Sequence, residues 1–209
     1  MRIAVPLYPG FTALDAVGPY TVLAFAPGCE VTFVAGDTGP VADDQGSLSI
    51  TATATYDDLP DPDVIVVPGG PGTVPAMGDA RLVGWIRAAH ATTRFTTSVC
   101  SGAFLLAAAG LLEGLPATTH WGFRDRLADL GVVPVAERVV TRGKVVTAAG
   151  VSAGLDMALV LLALLRDEET ARAVQLAIEY DPAPPFTSGS ASTASPELRE
   201  RALSLIAGV

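Results

Sequence analysis

Short apolar runs decide what this chain can build. Residues 2–8, 63–67 and 95–99 are too brief for helices and are rich in Val, Ile, Phe and Thr. Runs of this kind read as strands buried on both faces, as in a parallel sheet covered by helices. Each stops at a small-residue break: Pro9-Gly10, Pro68-Gly69-Gly70-Pro71-Gly72, and Cys100-Ser101-Gly102. Helical periodicity follows each break, over residues 15–24, 81–92 and 102–110, with Leu82, Trp85 and Ile86 on one helical face and Pro19 expected early in its helix. Further strands are expected over residues 29–35, 132–135, 138–141 and 144–147, the last two joined by an Arg142-Gly143 turn. Residues 47–53 alternate like an exposed strand and form a small hairpin with Val41. Further helices are expected over residues 121–130, 155–165, 167–178 and 195–206, and residues 181–190 are too rich in Pro, Gly and Ser for regular structure. The alternation predicts an α/β fold: a mostly parallel, flavodoxin-like sheet with helices on both faces, in one domain over residues 1–209.

The stretch from Arg94 to Ala109 carries the chemistry. A strand rich in β-branched residues turns at Cys100 into an Ala- and Leu-rich helix. A side chain at such a junction stands above the sheet, and the new helix aims free backbone N–H groups at it. That is a nucleophile elbow with cysteine as the nucleophile, expected to carry strained backbone and a thiol biased toward thiolate. The alternative for any free cysteine is a small buried hydrophobe. Cys29, in a turn leading to a strand, is assigned that structural role.

Ligands in such sheets bind beyond the carboxyl ends of the strands. Four loops fall there: residues 9–15, 68–73, 100–102 and 148–154. Asp15 is either a helix N-terminal acid or a carboxyl whose proton affinity is raised beside the sulfur, able to act as general acid. Gly70 is either a turn residue or a backbone donor that forms an anion hole with the N–H of Ser101. His120, beside Trp121, is either packed structure or a partner of Cys100. His90, on a surface helix, is given no role, and no metal-ligand spacing appears.

Composition narrows the class. The net charge of −9, without a basic cluster, argues against nucleic acid as partner. Residues 155–165 are apolar but too short to span a bilayer, and the first residues enter a strand with no leader-like segment. Two cysteines, one at a candidate site, suggest a reducing, cytoplasmic setting.

The segments 11–19 (FTALDAVGP), 67–72 (VPGGPG), 97–102 (TSVCSG), 107–112 (AAAGLL) and 117–121 (ATTHW) resemble the ThiJ/PfpI superfamily, of the class I glutamine amidotransferase-like fold. Residues 174–186 (VQLAIEYDPAPPF) resemble the tail of its isocyanide (isonitrile) hydratase branch. The resemblance implies Cys100 as nucleophile, Asp15 as its acid–base partner, and Ser101 where that branch commonly has Thr. It also implies a homodimer with sites near the interface, a small isocyanide as substrate and no cofactor, and it leaves Tyr180 as a further pocket candidate. Amidase-like domains of AraC-type regulators share several of these segments and continue into a helix-turn-helix, which this sequence does not contain. Two other readings remain at this point: a redox- or ligand-sensing or chaperone-like module, and a glyoxalase- or deglycase-type cysteine enzyme.

Overall fold

A computed structural model describes residues 1–207, and the short apolar runs become the centre of a sheet. The chain runs through β1 (Arg2–Pro6), α1 (Ala13–Ala24), β2 (Glu30–Ala35), β3 (Gly39–Ala42), β4 (Ser49–Ala52), β5 (Ala54–Thr55) and β6 (Val64–Val67). It continues through α2 (Thr73–Ala76), α3 (Ala80–His90), β7 (Phe95–Val99), α4 (Gly102–Ala108) and β8 (Pro116–Ala117). A 3-10 turn over Trp121–Phe123 leads to α5 (Arg124–Ala128) and β9 (Val133–Pro134). The order then is β10 (Val139–Arg142), β11 (Val145–Ala148), α6 (Ala153–Leu165), α7 (Glu168–Ala177) and α8 (Pro196–Ala207).

The main sheet has the order β10-β11-β7-β6-β1-β2-β5, and every pairing is parallel except β10 with β11. Every residue of β6 is buried, as strands covered on both faces must be. After β2 and β5 on one flank the chain returns to β6 on the other side of β1, so β1 and β6 border the point where the order reverses. The crevice at their carboxyl ends is the ligand position that this topology favours.

Local rules place the helices. Asp79 caps α3 by accepting from the N–H groups of Arg81 (2.9 Å) and Leu82 (3.3 Å). The helix then buries Leu82, Trp85, Ile86 and Ala89, the expected stripe. Asp167 caps α7 through the Thr170 N–H at 2.7 Å. The exposed hairpin also forms, with Val41 opposite Ile50. Its turn reaches the first loop, where Thr12 Oγ1 donates to Asp44 Oδ2 (2.6 Å) and Gly10 N–H to Ala42 O (3.1 Å).

Three expectations change. Pro19 lies inside α1, not in its first turn. Its missing N–H leaves the Asp15 carbonyl without a helical donor, while its ring packs toward Gly154, where a Cβ would stand 3.2 Å from Pro19 Cγ and from the Val99 methyls. Residues 121–130 do not form one helix. His120 Nδ1 accepts the Gly122 N–H (3.2 Å), which tightens the first turn to 3-10 geometry before α5 begins. His90, expected on a surface helix, is half-buried, and its Nδ1 pairs with Thr96 Oγ1 at 2.9 Å.

Candidate active site

Cys100 follows β7 directly and precedes α4, with φ at +55°, a left-handed conformation that is rare for a residue with a side chain. The turn is held from both ends. The Cys100 N–H donates to Ala149 O (2.8 Å), and the Thr119 hydroxyl donates to Cys100 O (2.7 Å). Gly102 allows the new helix to lie against β6, because a Cβ there would press into the Val67 carbonyl. The expected strained elbow is present, and it leaves the cysteine only 6% exposed.

Asp15 reaches the same point from α1. It is fully buried, and its Oδ2 accepts the Gly69 N–H at 2.8 Å. Its Oδ1 is buried with no partner at normal hydrogen-bond geometry, and the Cys100 thiol is the group positioned to supply one. Burial pushes the carboxyl up to about 7; the Gly69 N–H and the thiol pull it back, and the Asp44 charge adds to the rise. The thiol moves away from thiolate, contrary to the bias expected from the helix end. Burial is the main cause and the Asp15 charge the second. The N–H groups of Ser101 and Val151, with the Ser101 side chain, favour the thiolate but do not outweigh them. The pair therefore shares protons instead of presenting a free thiolate.

Ser101 belongs to a directed chain of hydrogen bonds. Tyr8 Oη donates its single proton to Pro68 O (2.6 Å), and burial of the phenol keeps that proton in place. Thr73 Oγ1, 2.9 Å from Tyr8 Oη, is then the donor to it. Ser101 Oγ lies 2.9 Å from Thr73 Oγ1 and accepts the Gly70 N–H at 2.8 Å. Gly70 thus departs from the expected anion hole: its N–H is committed to Ser101 Oγ. Its positive φ and the backbone of Gly10 and Thr12, which occupies the place a Cβ would take, explain the glycine. Gly70 acts here by holding Ser101.

His120 and Tyr180 do not join this group. The His120 ring lies against Gly150, where a Cβ would come within 2.6 Å of Cδ2, and burial lowers its proton affinity, helped by the Arg124 charge. Tyr180 Oη donates to Asp156 Oδ1 (2.9 Å), and Asp156 also pairs with Arg138. Four participants carried no signal of their own in the sequence: Tyr8, Thr73, Thr119 and Val151. Their loops were legible, but their side-chain and N–H directions come from packing. Among the described residues, no three His, Cys, Asp or Glu side chains are grouped as metal ligands.

A cavity of about 780 Å³ is lined in part by residues 149–152, the loop whose Ala149 carbonyl accepts from Cys100, while Cys100 itself is not in the lining. Leu14, beside Asp15, and Val151, whose N–H faces the sulfur, belong to its wall, as do residues 189–192 and Arg199 and Leu203 of α8.

The sequence and the fold both have known relatives. The model of the DJ-1/PfpI family matches residues 1–164. Over 194 residues the chain is 47% identical to an isonitrile hydratase of Pseudomonas putida, covering 93% of this chain and 85% of that protein. A crystal structure of a THiJ/PfpI family protein from Pseudomonas syringae superposes with a TM-score of 0.94 at 42% identity, covering 99% of this chain and 86% of the other. Oxidized DJ-1 of Toxoplasma gondii superposes at 0.77 with 25% identity, covering 87% and 99%.

Proposed function

The chain belongs to the DJ-1/PfpI family, and from that premise we propose that it is an isocyanide hydratase, turning R–N≡C and water into the formamide R–NH–CHO. The observation that carries this reading is the Asp15–Cys100 pair: a buried carboxyl near neutral proton affinity beside a buried thiol. The 47% identity to the Pseudomonas putida isonitrile hydratase supports it.

An isocyanide needs a nucleophile and a proton at the same terminal carbon. The reactive state has Asp15 ionised and Cys100 protonated. Asp15 takes the thiol proton as the sulfur attacks, and an S–C bond forms. The same carboxyl returns that proton to the carbon, giving the thioimidate R–N=CH–S–Cys100. Asp15, ionised again, then takes a proton from water as its oxygen adds to that carbon. The proton passes to the substrate nitrogen, and the C–S bond breaks. The second water proton returns to the sulfur, so the pair ends as it began. The N–H groups of Ser101 and Val151 stabilise charge on the sulfur while it attacks and leaves. Electrons balance without an oxidant, reductant or cofactor. Homodimerisation and a cytoplasmic setting complete the proposal, consistent with the exposed apolar side chains of α1, Leu14 and Tyr20, and with Phe25 beyond its end.

The test is turnover of cyclohexyl isocyanide, followed as formamide, with trapped enzyme sought by mass spectrometry as an adduct on Cys100. Formamide from the wild type and none from Cys100→Ala is the expected result. Conversion of methylglyoxal with no conversion of any isocyanide would replace this reading with the glyoxalase or deglycase one.

A further inference from the structure

The hydratase reading leaves the R group open, and the cavity beside the elbow bears on it. Arg124, at the start of α5, lines that cavity half-buried, with its Nε enclosed and without a hydrogen-bond partner. Among the described residues, no carboxylate pairs with Arg124, nor with Arg199, which faces the cavity from α8. The third guanidinium there, Arg138, is already paired with Asp156. The acids of the lining, Asp125 and Glu137, are exposed and paired with none of these arginines. His120 adds a donor: its Nδ1 accepts the Gly122 N–H, so the neutral ring carries its proton on Nε2. Leu14, Trp121 and Leu203 give the same lining an apolar part. Arg124 and Arg199 thus bring to the cavity two guanidinium charges that no carboxylate among the described residues pairs with, and an anionic ligand would pair with them.

We propose that this cavity receives a carboxylate carried on the substrate's R group, so that the preferred substrates are isocyano acids. The isocyano carbon lies at Cys100, an apolar linker crosses Leu14, Trp121 and Leu203, and the carboxylate pairs with Arg124, with Arg199 closing over it. Guanidinium and carboxylate suit each other in shape as well as in charge. This inference rests on the hydratase reading for its chemistry, but the anion site itself can be tested apart from turnover.

Two measurements separate the two claims. The first is kcat/KM for a series of ω-isocyano carboxylates of increasing chain length against their methyl esters. The expected result is an acid preferred over its ester by roughly tenfold or more at one chain length. Arg124→Gln should collapse that ratio, and Arg124→Lys should restore part of it. The second is calorimetric binding of the corresponding N-formyl amino acids and their methyl esters to wild type and Arg124→Gln. The wild type should bind the acid more tightly than the ester, and the variant should not. Esters that match or beat their acids at every length overturn the anion site and leave the hydratase intact. So does an acid-to-ester ratio that is unchanged in Arg124→Gln. Carboxylate binding that depends on Arg124, with no isocyanide of any kind turned over, leaves the anion site standing and removes the hydratase.

Discussion

Asp15 has no solvent and one backbone donor, so its ionisation works against folding. Its carboxyl is raised from an ordinary 3.8 to about 7. The folded state therefore holds a proton that the unfolded chain has released across that interval. The stabilisation this gives is full below about 4 and is lost as pH climbs through 7. Asp15→Asn keeps the acceptor for Gly69 but carries no charge. It should raise the melting temperature above wild type at pH 8 and by much less at pH 4.5, as calorimetry at both pH values can check. The same group governs turnover: kcat/KM should rise with pH through about 7, and Asp15→Asn should erase that limb with a loss on the order of a hundredfold or more. Thr73→Val removes the hydroxyl linking Tyr8 to Ser101. It should lower kcat several-fold while costing about 1 kcal/mol in a denaturant titration. His120→Ala should cost less in turnover of a neutral isocyanide than Asp15→Asn. The reverse order would make the site a Cys-His dyad.

At the scale of elements, the elbow shows how much a short segment can announce. The β-branched run 95–99, the small residues after Cys100 and the Ala-Leu helix made the strand–turn–helix readable, because each residue type has few backbone conformations to offer. The split of residues 121–130 was not readable, since it follows from a histidine nitrogen capping a turn, where Ser, Thr, Asp or Asn is the usual signal. The two-residue strand β5 was also illegible, being fixed by a partner distant in sequence, whereas β9 was legible as part of the strand expected over residues 132–135 and only its bounds were not. Gly102→Ala should be strongly destabilising, by about 1–3 kcal/mol or more, because the added methyl meets rigid backbone at Val67. A lowered urea midpoint would show it. Asp79→Ala, which only uncaps α3, should shift the midpoint by about 1 kcal/mol and leave turnover unaltered.

Over the whole molecule, the order reversal between β1 and β6 brings together loops that lie far apart in the chain: Asp15 follows β1, Gly69 and Gly70 follow β6, and Cys100 follows β7. The hairpin of β3 and β4 braces the first of these through Thr12 and Asp44, which also places a charge that raises Asp15. Leu14, Tyr20 and Phe25 remain 37–57% exposed at or just past α1, and Phe186 of the Pro-rich segment is 76% exposed in the single chain. Covering such side chains against a second copy is favourable. Sedimentation at micromolar concentration should therefore give a dimer, and Phe25→Glu should weaken it.

The sequence by itself determined the layered α/β architecture, the elbow at Cys100 and the four loops that meet there, because buried strands, glycine breaks and helix formers are local statements. It also singled out Asp15 and Ser101. Tertiary structure alone decided what those residues can do. Burial, which no local pattern reports, raised Asp15 and kept Cys100 a thiol against the pull of its backbone donors. Packing turned the Gly70 N–H toward Ser101 and bound Tyr180 to Asp156. The approach of α5 and α8 to one cavity left Arg124 and Arg199 facing it with no carboxylate paired to them among the described residues. Proton affinity and hydrogen-bond direction depend on every neighbour within a few ångströms, and most of those neighbours come from elsewhere in the chain.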